Sequence, residues 1–267
     1  MKYAFWNTHN NKDINIYLEK LLEEYQPNFL ALAEYKADGK QLETLLQTNG
    51  LEYKFLQKIG SRLDIFYKGS SHQIRHCPES KYYTIKIIPY GKEKQIIVVV
   101  HLPSKMYADE SDNEELLREM LFYVNDIRNK EKIKNVVIVG DFNMNPYENP
   151  MVDATALQAI SSREIVLRKK ERNYREKRRE FFYNPMWNFL GDEKKPIGSY
   201  YYVSPQNKAM YWNTFDQFIV SKELVEAVDL KKIKFIDCIG TMQLGNERGE
   251  PKVSDHFPLY FEIGERK

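Results

Sequence analysis

Between Val136 and Pro146 the chain reads Val-Val-Ile-Val-Gly-Asp-Phe-Asn-Met-Asn-Pro, and no other stretch limits the fold as much. Four consecutive β-branched residues form a short, fully apolar run, which reads as a buried strand. Gly140 ends the run and lets the backbone approach a neighbour closely. Asp141 and Asn143 stand two residues apart, so at a strand end they point to the same side. A carboxylate and a carboxamide at the mouth of a buried sheet suit a reaction in which a nucleophile is oriented and a developing anion is held. The same Gly-Asp-x-Asn order is also good turn chemistry. Taken alone, the stretch does not separate these readings.

The pattern recurs along the chain. Residues 3–7 read as a strand ending in Asn7. Residues 29–33, Phe-Leu-Ala-Leu-Ala, read as a buried strand running straight into Glu34. A Glu there either leaves the sheet for water or meets a partner. Residues 82–88 and 95–102 read as a hairpin around Pro89-Tyr-Gly91, and its all-β-branched segment 96–100 runs into His101. Apolar side chains at helical spacing predict helices from Ile14 to Tyr25, over 38–48, and from Leu116 to Ile127. Residues 53–56 and 63–67 read as strands, and residues 152–160 as a short helix. Farther on, 198–203 is strand-like, and 214–221 places Asp216 in apolar company, where an ionised carboxylate needs a cation, a His or backbone donors. The last strands are expected at 233–239 and 257–263, the second preceded by Ser254-Asp255-His256.

A chain of 267 residues suits one large domain, and no linker or repeat suggests a boundary. The 19 Tyr and 14 Phe favour packed sheets. Net charge is only +2, so any grip on a polyanion is local. Cys77 and Cys238 lie far apart without metal-type spacing, which favours free thiols in a reducing compartment. The N-terminus turns polar at once and no run is long enough to span a bilayer, so the expected location is cytoplasmic. Residues 164–180 are the one charge-dense segment and are expected to be helical. Arg168, Lys169, Arg172 and Arg175 there form either a solvated helix face or an arm that tracks phosphates.

Asn7, Glu34, His101, Asp141, Asn143, Asp216, Asp255 and His256 make up the candidate constellation, and all but Asp216 stand at or beside a predicted strand end. Glu34, Asp255 and the Asn7 amide oxygen are hard donors of the sort Mg²⁺ or Mn²⁺ takes. Two histidines and two further carboxylates remain for proton transfer. A zinc pattern, a P-loop, a nucleophile elbow and a dinucleotide fingerprint are all missing. Water attack on a phosphate ester fits this set.

In order, Trp6-Asn7, Ala33-Glu34, Val100-His101-Leu-Pro-Ser104, Gly140-Asp141-Phe-Asn143, Phe215-Asp216-Gln-Phe-Ile-Val-Ser221 and Ser254-Asp255-His256 resemble the motifs of the endonuclease/exonuclease/phosphatase superfamily. The resemblance spans nearly the whole chain. It implies a four-layer α/β sandwich of two packed mixed sheets flanked by helices, the DNase I-like fold. It implies that Glu34, with Asn7 and Asp255, holds Mg²⁺. It implies that His256, paired with Asp216, orients or deprotonates water or holds a phosphate oxygen. Asp141 would position the nucleophile, Asn143 would donate to the phosphorane, and His101 would touch phosphate or protonate the leaving oxygen. The expected activity is a metal-dependent nuclease or phosphodiesterase acting on nucleic acid. A phosphatase for a small phosphoester and a non-catalytic binding module are the other readings.

Overall fold

The computed structural model describes residues 1–56, 58–107, 109–204 and 211–264. In chain order, β1 (Lys2–Asn7), α1 (Asn15–Tyr25), β2 (Phe29–Ala33), α2 (Gly39–Thr48), β3 (Tyr53–Leu56) and β4 (Asp64–Lys68) come first. Then follow β5 (Arg75–Glu79), β6 (Tyr83–Tyr90), β7 (Glu93–His101), α3 (Glu110–Glu131) and β8 (Asn135–Asp141). The middle of the chain holds α4 (Asn149–Val152), β9 (Ala159–Ile160), α5 (Arg163–Lys169), β10 (Glu171–Tyr174), β11 (Lys177–Glu180) and β12 (Phe182–Tyr183). The remaining strands are β13 (Tyr200–Tyr201), β14 (Trp212–Asn213), β15 (Asp216–Ser221), β16 (Lys234–Phe235), β17 (Cys238–Ile239), β18 (Met242–Gln243) and β19 (Leu259–Glu262).

Two mixed sheets form the centre. One runs β16-β19-β1-β2-β4-β3 and the other β5-β6-β7-β8-β15-β12-β9. Strands apolar on both faces are what two packed sheets under helices require, because alternate side chains enter different layers. Val137 and Val139 of β8 join the core shared with the first sheet, while Val136 and Ile138 join the cluster that holds Leu117, Met120 and Val124 of α3. Phe218 of β15 stacks on Phe261 of β19 with ring centroids 3.7 Å apart, linking the sheets. The Tyr3 hydroxyl donates to Gln95 Oε1 at 2.6 Å between β1 and β7. The expected sandwich of mixed sheets flanked by helices is the observed one.

The sheet register gathers the site. β1 and β2 run parallel, pairing Asn7 with Ala33, so Glu34 leaves just beyond. β7 and β8 run parallel, pairing His101 with Asp141, and β15 places Asp216 opposite Asp141. Four strand ends therefore open at one edge, and Asp216, as the first residue of β15, is also a strand-end residue.

Local structure departs from expectation in three places. Residues 152–160 are not a helix: α4 stops at Val152, and β9 follows at Ala159–Ile160. The strand expected over 233–239 splits into β16 and β17. The basic segment 164–180 is helical only through Lys169, and β10 and β11 then form a two-stranded hairpin. Its tip is Arg175-Glu176 with φ of +47° and +61°, a tight two-residue connection built without the usual Gly or Asn.

Candidate active site

Backbone geometry delivers the side chains. Gly140 has φ +153°, and a Cβ there would lie 1.9 Å from the Val100 carbonyl oxygen, so β7 and β8 meet at this distance only over glycine. His9, Asn10, Glu34 and Asn143 take φ between +47° and +56°, the left-handed region, which Asn and His enter more readily than most residues and which is uncommon for Glu. Such strain gathered at one edge of the sheets marks a site held in shape by its surroundings.

One cleft of about 550 Å³ is lined by Asn7, Glu34, His101, Asp141, Asn143, Asp255 and His256. Asp216 lies behind it, fully buried, with Oδ2 at 2.6 Å from His256 Nδ1. Burial alone would push the His256 imidazole down, but the Asp216 and Asp141 carboxylates outweigh it and hold it up at about 10. Burial pushes the Asp216 carboxyl up, against the opposing pull of His256. With Nδ1 engaged, His256 turns Nε2 to the cleft, 3.8 Å from Asp141 Oδ2 and 3.9 Å from Asp255 Oδ1.

Asp141 is fixed by two donors: Asn7 Nδ2 at 3.0 Å and the Asn143 backbone N–H at 2.8 Å. His101 Nε2 stands between Glu34 Oε1 at 3.6 Å and Asp141 Oδ2 at 3.8 Å. Asn143 Nδ2 donates to the Leu102 carbonyl at 2.8 Å, leaving its second N–H for another acceptor. Asn10 Nδ2 donates to Glu34 Oε2 at 2.6 Å, and His9 Nδ1 lies 3.2 Å from Asp255 Oδ2.

Asn7 presents its donor side to the acids. Its Oδ1 accepts the His9 backbone N–H at 3.1 Å, so its amide nitrogen, not its oxygen, faces Asp141 and Glu34. Carboxylates only accept, and a carboxamide beside two of them turns its donor side inward. Asp141, Asp216 and His256 bring three potential ligand atoms within 4.8 Å of one another and could hold a metal ion. Two of those three groups already hydrogen-bond each other, whereas Glu34 and Asp255 are partly open to solvent and offer the oxygen donors that hard cations prefer.

No family model matches the chain, and no curated protein does. Solved structures do. An endonuclease/exonuclease/phosphatase family protein from Bacteroides thetaiotaomicron is 10% identical with a TM-score of 0.57, over 98% of this chain and 96% of that one. The 3′ phosphatase NExo from Neisseria, bound to a product DNA hairpin, is 15% identical with a TM-score of 0.57, over 98% and 99%. A humanized TDP2 of D. rerio is 17% identical with a TM-score of 0.54, over 98% and 97%. The chain has the endonuclease/exonuclease/phosphatase fold.

Within that fold the cleft also contains residues that sequence reasoning missed. Arg62, Lys81, Tyr82, Tyr107 and Tyr200 line it. The Tyr200 ring lies 4.6 Å from the His256 ring, and burial followed by the nearby Asp255 pushes its phenol up to about 12. None of these stands in a motif, so only the fold reveals them. Arg62 follows a loop pinned by Glu79, whose Oε2 accepts the backbone N–H groups of Ile59, Gly60 and Ser61 at 2.9–3.3 Å. The other Glu79 oxygen accepts from the Thr84 hydroxyl and from buried Lys86.

Arg168, Lys169, Arg172 and Arg175 are not brought to the cleft. β12, which follows the hairpin, pairs Phe182 with Ser221, and Ser221 lies at the opposite end of β15 from Asp216. Arg172 Nε donates to Gln158 at 2.6 Å, Arg175 sits over Tyr174, and Arg168 pairs with Glu164 at 3.5 Å.

Proposed function

We propose that this protein hydrolyses phosphodiester bonds of nucleic acid, assisted by Mg²⁺ or Mn²⁺. The Asp216–His256 pair carries the reading, because it points one ring nitrogen into a cleft that also presents Glu34, His101, Asp141, Asn143 and Asp255. Four carboxylates converge there, and a divalent cation relieves their mutual repulsion. Glu34 and Asp255 are the residues that would hold the ion, and Asn7 joins them only if its carboxamide turns over. When bound, the cation supplies charge stabilisation at a phosphate oxygen.

The protein's own groups account for the rest. Asp141, fixed by Asn7 and the Asn143 backbone, is placed to orient water and accept its proton. His256, kept in one orientation by Asp216, donates to a non-bridging phosphate oxygen through Nε2. The second Asn143 N–H adds a donor at the same trigonal-bipyramidal centre. His101, between Glu34 and Asp141, is the candidate acid for the leaving oxygen.

A nucleic-acid substrate is supported by the likeness to NExo, whose structure holds a product DNA hairpin. No helix among the described residues is long and apolar enough to cross a membrane. Free Cys77 and Cys238 fit a reducing cytoplasm. The test is a panel of plasmid DNA, RNA, nucleotides and inositol phosphates, each with Mg²⁺, with EDTA, and with His256→Ala. Metal-dependent cleavage of a polynucleotide that the variant loses is the expected result. Turnover of the small phosphoesters alone would overturn the substrate assignment.

A further inference from the structure

A second groove, of about 840 Å³, shares no lining residue with the cleft. Arg128 and Lys132 reach it from the end of α3, and Lys134 from the entry to β8. Lys170, Arg178 and Arg179 come from the hairpin and the residue before it, and Lys222 from just past β15. Seven cations thus meet three carboxylates, Glu171, Glu180 and Glu223, in a chain whose net charge is only +2. That concentration sets the groove apart from an evenly mixed surface.

All three carboxylates are already engaged: Glu180 with Arg128 at 2.7 Å, Glu171 with Arg178 at 3.5 Å, and Glu223 with Lys222 at 4.0 Å. Lys132, Lys134, Lys170 and Arg179 have no ion pair among the described residues, and Arg179 Nε is buried with no hydrogen-bond partner among them. Compensation of the α3 dipole explains cations in the last turn of that helix, such as Arg128. It does not explain Lys134, Lys170, Arg179 and Lys222, which arrive on four other segments.

The register gives the distance. Lys134 accepts a hydrogen bond from the Ser221 hydroxyl at the start of β8, and Asp141 ends that strand. The groove and the cleft are therefore separated by the length of β8, roughly 20 Å at about 3.3 Å per residue. A short phosphoester is too small to span that distance, whereas a duplex advancing about 3.4 Å per base pair is long enough.

We propose that this groove is a second nucleic-acid site, which holds a polynucleotide at a distance from the phosphate being cleaved. The choice of a polynucleotide rests on the functional reading above, while the cationic groove stands on its own residues. The experiment is fluorescence anisotropy in EDTA on the full chain, with a duplex of about 30 base pairs, several times the span required. The parent is compared with a variant carrying Lys132→Gln, Lys134→Gln, Lys170→Gln and Arg178→Gln, all exposed positions. Kd for the duplex should rise about tenfold or more, and the slope of log K against log salt should fall by about three to four. In Mg²⁺, kcat/KM on the long duplex should fall relative to that on a dinucleotide.

Unchanged affinity and salt slope would overturn the proposal even if hydrolysis is normal. Normal groove binding without any hydrolysis would instead overturn the functional reading alone. Tighter retention of a polyglutamate of equal charge would overturn nucleic acid as the occupant. If the combined variant misfolds by circular dichroism, Lys170→Gln and Arg178→Gln are measured singly, and each should lower the slope by about one.

Discussion

Asp141 and Asp216 are direct register partners on adjacent antiparallel strands, and both carboxyls are buried. Like charges opposed across a ladder destabilise it, the more so out of water. His256 answers both, at 2.6 Å from Asp216 and 3.8 Å from Asp141. The imidazole thus holds the site together, apart from any part it takes in the proposed reaction.

Replacing His256 with alanine should therefore cost stability as well as rate. Urea unfolding in EDTA should show a loss of about 3–5 kcal/mol, the cost of leaving a buried ion without its partner. Hydrolysis in saturating Mg²⁺ should fall about 10²- to 10⁴-fold. A variant as stable as the parent would mean that Asp216 is protonated in the folded state.

Gly140→Ala tests the close approach of β7 and β8. The added methyl would collide with the Val100 carbonyl, a backbone atom that cannot swing aside. Thermal unfolding should show a loss of about 3 kcal/mol or more. Parental stability would show that the strands separate easily at this point.

Cation binding separates Glu34 from Asn7. Calorimetric titration with Mn²⁺ should show Glu34→Gln weakened about tenfold or more, since an ionised oxygen donor is lost. Asn7→Ala should keep most of the affinity, because its amide nitrogen faces the carboxylates. Equal losses in both would mean that Asn7 turns over and ligates.

Glu79 should carry acid-dependent stability. Burial alone would push its carboxyl up, but Lys86, the Gly60 N–H and the Thr84 hydroxyl outweigh burial and hold it at about 2. A depressed carboxylate stabilises the fold above its unfolded value, near 4.5, and that contribution fades as pH falls through about 2. Glu79→Gln should thus be least stable relative to the parent at neutral pH, with the gap closing between pH 4.5 and 2 in urea titrations. A gap that stays constant over that range would sink the assignment.

Much of this architecture was legible because the strands buried on both faces announce themselves. Residues 29–33 and 53–56 were placed with their observed bounds, and β-branched runs located β7 and β8. The polar residues closing those runs proved to share one cleft, with Asp216 just behind it. The hairpin at 171–180 was hidden for a definite reason. Arg, Lys and Glu favour helices, and nothing at Arg175-Glu176 signals a turn that needs two positive φ angles. Arg62, Lys81 and Tyr200 reach the cleft through the path of the chain, to which local patterns are blind. The orientation of Asn7 was equally invisible, since it depends on the backbone N–H of His9.

The two ends of the cleft's residue set are sewn together directly. Trp6 Nε1 donates to the His256 carbonyl at 2.9 Å, and the Ser254 hydroxyl donates to the Asn7 carbonyl at 2.7 Å. A polypeptide still threading out of the ribosome can display every acid up to Asp216 and yet lack the imidazole that completes them. For the proposed reaction, the docking of β19 beside β1 is therefore a prerequisite, since it is what carries His256 to the acids that precede it in sequence.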